Sequence, residues 1–86
     1  MKSLIKNYIN QLTPDKLKLF AQKNDINLTD NEIEYLLNLV KDNYDDMLIN
    51  DQKYLKLIKS KVNIAEYQKI EKIYINYKNK YKGYLF

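Results

Sequence analysis

The sequence predicts an all-α protein, a small bundle of about five short helices with the last one longest. Three observations point there. Apolar residues recur at spacings of three and four along most of the chain. A single Gly and a single Pro occur among 86 residues, so the strongest turn punctuation is scarce. Cap-forming residues divide the chain instead, at Thr13, Thr29, Asn50 and Asn63. No strand pattern of useful length and no internal repeat is present.

Leu4, Ile5, Tyr8, Ile9 and Leu12 share one face of a first helix. Thr13-Pro14 ends it, because proline disfavours helical geometry in the residue before it. The same pair starts helix two. Proline suits its first position, Thr13 is its N-cap, and Asp15 lies at the positive end of the helix dipole. Leu17, Phe20 and Ala21 form its inner side. Asn24-Asp25 is the next break, since both residues favour turns, and Ile26-Asn27-Leu28 alternates as an extended segment. Thr29-Asp30-Asn31-Glu32 is a capping box, with the Thr29 hydroxyl and the Glu32 side chain bonding reciprocally to backbone amides. Helix three then presents Ile33, Leu36, Leu37, Val40 and Tyr44. The acidic run Asp42-Asn43-Tyr44-Asp45-Asp46 is expected to begin a loop, after which Met47-Leu48-Ile49 dips into the core. Asn50 or Asp51 caps helix four, whose inner face is Tyr54, Leu55, Ile58 and Val62. Asn63, with Glu66 three residues on, repeats the capping logic. Helix five is expected from about Ile64 to Lys82, with Gly83 following its end. Residues 83–86 are left as a tail that either docks or frays.

The length fits one domain, residues 1–86. There is no Cys, which excludes disulfides and thiolate metal sites and suits a reducing compartment. There is no His, which removes the commonest general base and the commonest metal ligand. The longest apolar runs are three residues, far short of the roughly 20 that span a bilayer. Lys6, Asn7, Asn10 and Gln11 interrupt any signal-peptide core at the start. The expectation is a soluble, cytoplasmic protein with no membrane contact.

Enzyme chemistry finds little support. Ser3 and Ser60 have no His to activate them. One Gly cannot build a phosphate loop. The adjacent carboxylates Asp45/Asp46 and Glu32/Glu34 would need a pocket to tune them. The acidic run 42–46 lacks the interior Gly and terminal Glu of a calcium loop. We expect no catalytic residues, no cofactor and no metal.

Net charge is +4, and every basic residue is Lys. A composition rich in Lys, Asn, Ile and Tyr is what A/T-rich codon usage produces, so the sum says little. The distribution says more. Residues 1–52 hold six lysines against nine acids, while residues 53–86 hold nine lysines against Glu66 and Glu71. The two halves, at −3 and +7, either attract each other within one fold or turn one basic face outward.

Tyr67, Ile70, Tyr74, Tyr77, Tyr81 and Tyr84 fall at heptad spacing along the last helix. Tyrosine joins an apolar body to a hydroxyl that needs a partner, so such a stripe suits a half-wet surface. One reading packs Tyr67, Ile70 and Tyr74 on the bundle. The other makes Tyr74, Tyr77, Tyr81 and Tyr84 a contact surface for a protein partner or a second copy. Lys69, Lys72, Lys78, Lys80 and Lys82 interleave with the stripe and define a candidate nucleic-acid face, with rings stacking on bases and ammoniums meeting phosphates. The absence of Arg weighs against it. Residues 13–41 have the helix–extended–helix shape of SAP-like DNA-binding modules. Here the second helix opens with Asp30, Glu32 and Glu34, which repel phosphate.

The run Leu12-Thr13-Pro14-Asp15-Lys16-Leu17, then Phe20-Ala21 and Ile26-Asn27-Leu28-Thr29, resembles the YqfT-like proteins, a small family of low-GC Gram-positive bacteria. The Asn50-Asp51 cap and the capped last helix follow in the same order. The resemblance spans nearly the whole chain and implies a short cytosolic helical protein of unknown function, with no catalytic residues to carry over. The Tyr- and Lys-rich last helix departs from that pattern. The sequence therefore predicts a protein–protein interaction or self-association module, and as the alternative a nucleic-acid-binding accessory protein.

Overall fold

The computed structural model describes residues 2–85, with side chains for all of these except 2–5, 48 and 81–85. Five helices follow in order: α1 (Lys2–Asn10), α2 (Pro14–Lys23), α3 (Asp30–Ile49), α4 (Asp51–Lys61) and α5 (Ile64–Leu85). No strand occurs among the described residues. α3 is the hub and packs against α1, α2 and α4, while α5 packs on α4. The radius of gyration is 12.4 Å, close to the ~12 Å of a single domain of this length.

The caps form where the sequence places them. The Thr13 hydroxyl accepts from the Lys16 amide at 3.2 Å, with Pro14 opening α2. At α3 the capping box is complete: Glu32 N–H donates to the Thr29 hydroxyl at 3.1 Å, and Thr29 N–H donates to Glu32 Oε1 at 2.8 Å. Between α2 and α3 the chain makes a Schellman turn. Asp25 N–H donates to the Gln22 carbonyl at 3.1 Å, and Ile26 N–H to that of Ala21 at 2.8 Å. Asp25 has φ 59°, a left-handed geometry that Asp tolerates better than most residues. The turn delivers Ile26 into the core.

Two features of the long helices differ from expectation. The acidic run 42–46 is helical, so α3 reaches 20 residues against 22 for α5. Acids near a helix C-terminus oppose its dipole. They are tolerated because Asn43, Tyr44 and Met47 turn one side toward the bundle, and because α4 supplies partners for Asp46. Ile49, expected in the core, is 73 % exposed; the extra turns rotate it outward, and the Leu48 side chain lies outside the described residues. Likewise Gly83 does not end α5, which continues to Leu85. Glycine lowers helix stability by about 1 kcal/mol but does not forbid helix. Phe86 lies outside the described residues.

The caps of α4 and α5 also depart in detail. Asn50 occupies the N-cap position of α4 but makes no cap bond; its side-chain amide donates to Asp46 Oδ1 at 2.8 Å. Asn63 Oδ1 does accept from Ala65 N–H at 2.9 Å. Glu66 does not reach back to complete a box. Its Oε2 accepts the Asn27 amide at 2.8 Å, across 39 residues of sequence.

Leu36, Leu55, Ile58, Val62 and Tyr67 make a continuous core, with Leu17, Leu28, Tyr35, Leu39, Ile70 and Tyr74 packed around it. All four residues assigned to the inner face of α4 are buried. No helix among the described residues is long and apolar enough to cross a membrane.

Thr29→Ala removes a cap hydroxyl and is expected to destabilise the fold by about 1 kcal/mol, whereas Ile49→Ser should stay within about 0.5 kcal/mol of wild type. Urea midpoints at constant slope measure both.

Candidate functional site

The tyrosines expected to mark the site are graded along α5. Tyr67 is buried, Ile70 and Tyr74 are half-buried, and Tyr77 is 49 % exposed. Tyr81 and Tyr84 have side chains outside the described residues. The gradient arises because the 22-residue helix is longer than the bundle that covers it. Three inward Tyr hydroxyls meet carboxylates. Tyr67 donates to Glu71 Oε2 at 3.0 Å, Tyr74 to Asp51 Oδ2 at 3.3 Å, and Tyr54 to Asp46. A tyrosine can be buried when its hydroxyl is satisfied in this way.

Asp51 is the carboxylate that joins α4 to α5. It stands in the first turn of α4, where the helix dipole favours a carboxylate. Lys78 reaches it from α5 as an ion pair, alongside the Tyr74 hydroxyl. The Lys78 hydrogen bond is the main reason the Asp51 carboxyl lies below the usual carboxylate range; the Lys78 charge and Tyr74 add to this, and partial burial opposes it. Burial, then the Asp51 charge, pushes the Tyr74 hydroxyl up to about 12. Asp46 is lowered too, first by Tyr54 and then by Asn50.

Behind the α5 stripe lies a cavity of about 410 Å³ to which every helix contributes. α1 supplies Ile9, the α1–α2 connection Leu12, α2 Phe20 and Ala21, α3 Leu37 and Met47, α4 Leu55 and Ile58, and α5 Ile73 and Tyr74. Tyr8 and Tyr77 also line it, and both rings are exposed, at 62 % and 49 %, so the mouth lies between α1 and α5. Tyr8 was expected to face inward; it forms this rim instead. A second, shallower hollow of about 270 Å³ shares Tyr8, Leu12 and Phe20 with the cavity and adds Lys16 and Lys23.

Two lysines of the expected nucleic-acid face, Lys69 and Lys78, are turned to partners within the fold. Lys69 donates to the Asp25 carbonyl at 2.7 Å and stands 3.6 Å from Glu66, and Lys78 is paired with Asp51. Lys72 and Lys80 are exposed, and Lys82 has its side chain outside the described residues. Further basic residues lie over rings, with Lys59 at 5.9 Å from the Tyr67 centroid and Lys61 at 5.7 Å from that of Tyr35.

Neither Asp51 nor the cavity was singled out from the sequence. Asp51 read as a helix cap, and no local pattern shows that Lys78, 27 residues later, returns to it. Compared with family models, curated proteins and solved structures, the chain matches none.

Asp51 has a lower pKa folded than its unfolded value of about 3.9. Its contribution to stability is complete above about pH 4 and is lost as pH falls through the folded value. Asp51→Asn should therefore flatten the acid limb of the stability curve. Tyr74 runs the other way: its contribution is complete below about pH 10 and lost as pH rises through about 12. Tyr74→Phe should flatten that alkaline limb, measured by urea unfolding across pH.

Proposed function

We propose that this chain is a non-catalytic protein–protein interaction or self-association module whose contact surface is centred on Tyr77. One observation carries the reading: Tyr8 and Tyr77 expose their rings on either side of a deep apolar opening. Large aromatic side chains that flank an apolar recess are the usual anchors of protein contacts. Tyr74 belongs to the support beneath this surface, since its hydroxyl is held by Asp51. Tyr81 and Tyr84 follow Tyr77 in the sequence at heptad spacing. The cysteine-free composition supports a cytoplasmic setting. The resemblance of its capped segments to the YqfT-like family supports a bacterial helical protein without a catalytic set.

The nucleic-acid alternative has less support. Two of its five lysines, Lys69 and Lys78, have their ammoniums turned onto Asp25 and Asp51.

Sedimentation velocity over a concentration series tests the reading. Wild type is expected to self-associate, and Tyr77→Ala to weaken the assembly at least about tenfold with little dependence on salt. A monomer at every concentration would remove self-association and leave a foreign partner. Association with mixed-sequence DNA or RNA that falls steeply with salt would favour the alternative.

A further inference from the structure

The cavity and the basic hollow beside it adjoin at Tyr8, Leu12 and Phe20, and the geometry points to a binding site for a free single-chain anionic amphiphile, in its simplest form a long-chain carboxylate. This goes beyond the interaction surface, because it concerns the chamber beneath the mouth. Three observations support it.

The first is depth. Ile9, Ala21, Leu36, Leu37, Leu55 and Ile58 are buried core residues, and all of them line the chamber. Its ~410 Å³ lies within the range of small-molecule sites. A space that reaches the middle of so small a bundle admits a narrow flexible chain, whereas a partner helix is roughly 10 Å across.

The second is polarity. Among the described residues, Asp51 is the one charged side chain lining the chamber, and Lys78 neutralises it. An apolar tail entering there would strip water from hydrocarbon without leaving a buried charge unpaired. An anionic head placed inside would meet the Asp51 carboxylate.

The third is the charge of the antechamber. The outer hollow borders the chamber at Tyr8, Leu12 and Phe20, and its charged residues are Lys16 and Lys23, with no carboxylate among the described lining residues. Lys16 donates to the Gln11 carbonyl at 3.3 Å, which holds its ammonium at the rim. Tail and head are thereby assigned to opposite ends of one site.

The test is displacement of a dansyl-labelled undecanoic acid from the full chain. The probe is expected to bind one to one with enhanced, blue-shifted emission. Saturated carboxylates from octanoate upward should displace it, with affinity rising about fourfold per methylene until the chamber is full. Lys16→Gln with Lys23→Gln should weaken carboxylates roughly tenfold at low salt and leave the matching alcohols unchanged. Ile73→Trp should abolish binding of both series. Met47→Phe, a milder filling of the same chamber, should lower the chain-length ceiling, so the test stands even if the Trp variant fails to fold by circular dichroism. Failure of the probe to bind overturns the proposal. So does undiminished binding to both filled variants, or equal loss of acids and alcohols in the lysine double variant. Co-sedimentation with phosphatidylglycerol vesicles without displacement of the probe would assign the basic hollow to a membrane surface and overturn the free-ligand site.

Discussion

The ion pair between Asp51 and Lys78, with the Tyr74 hydroxyl on the same carboxylate oxygen, ties the first turn of α4 to the middle of the last helix. Together with the apolar packing of Tyr67, Ile70 and Tyr74 it sets the position of α5, and that position decides the exposure of Tyr77 and the cavity behind it. A second grip holds the other end. Glu66 takes the Asn27 amide, and Lys69 takes the Asp25 carbonyl, so the start of α5 is clasped to the Schellman turn between α2 and α3. Between these grips α5 turns Ile70, Ile73, Tyr74 and Tyr77 toward the bundle without closing on it fully, and the chamber is what remains.

The same contacts account for the charge asymmetry of the chain. Lysines of residues 53–86 pair with acids of residues 1–52 at Lys53–Asp46, Lys69–Asp25 and Lys78–Asp51. The attraction of two opposite halves is thus used inside one fold. Exposed pairs of this kind contribute little each, so their role is chiefly to choose among packings of similar apolar content. The tyrosines have a related constraint. With nine Tyr, two Phe and no Trp, the aromatic part of the core must bring hydroxyls with it. Asp46, Asp51 and Glu71 receive those of Tyr54, Tyr74 and Tyr67, and this pairing lets a polar aromatic serve where a leucine would be usual.

A core built this way is not filled to the centre. The proposed interaction surface and the proposed amphiphile site both arise from that incompleteness, one at its rim and one in its interior. They are chemically distinct: the rim offers rings to another protein, and the interior offers hydrocarbon to a chain. Lys16 and Lys23 belong to the second, because they border the hollow that adjoins the chamber.

Local information in the sequence settled most of the secondary structure. Thr13-Pro14, the Thr29 box and Asn24-Asp25 each act through neighbours within a few residues, so their outcome was legible from the residues themselves. The α4 face was legible because helical periodicity reports burial when one side of a helix is covered. Where the outcome turned on a distant partner, local reading failed. The run 42–46 is helical because α4 supplies Tyr54 and Lys53 to Asp46. Glu66 leaves its own cap for Asn27 because the α2–α3 turn comes within reach. Tyr8 becomes a rim and Asp51 an anchor for the same reason. The sequence by itself determined an all-helical chain and where most of its helices begin. Only the tertiary structure decided which tyrosine stays exposed, which carboxylates hold hydroxyls and where the cavity lies, because those depend on contacts between segments tens of residues apart.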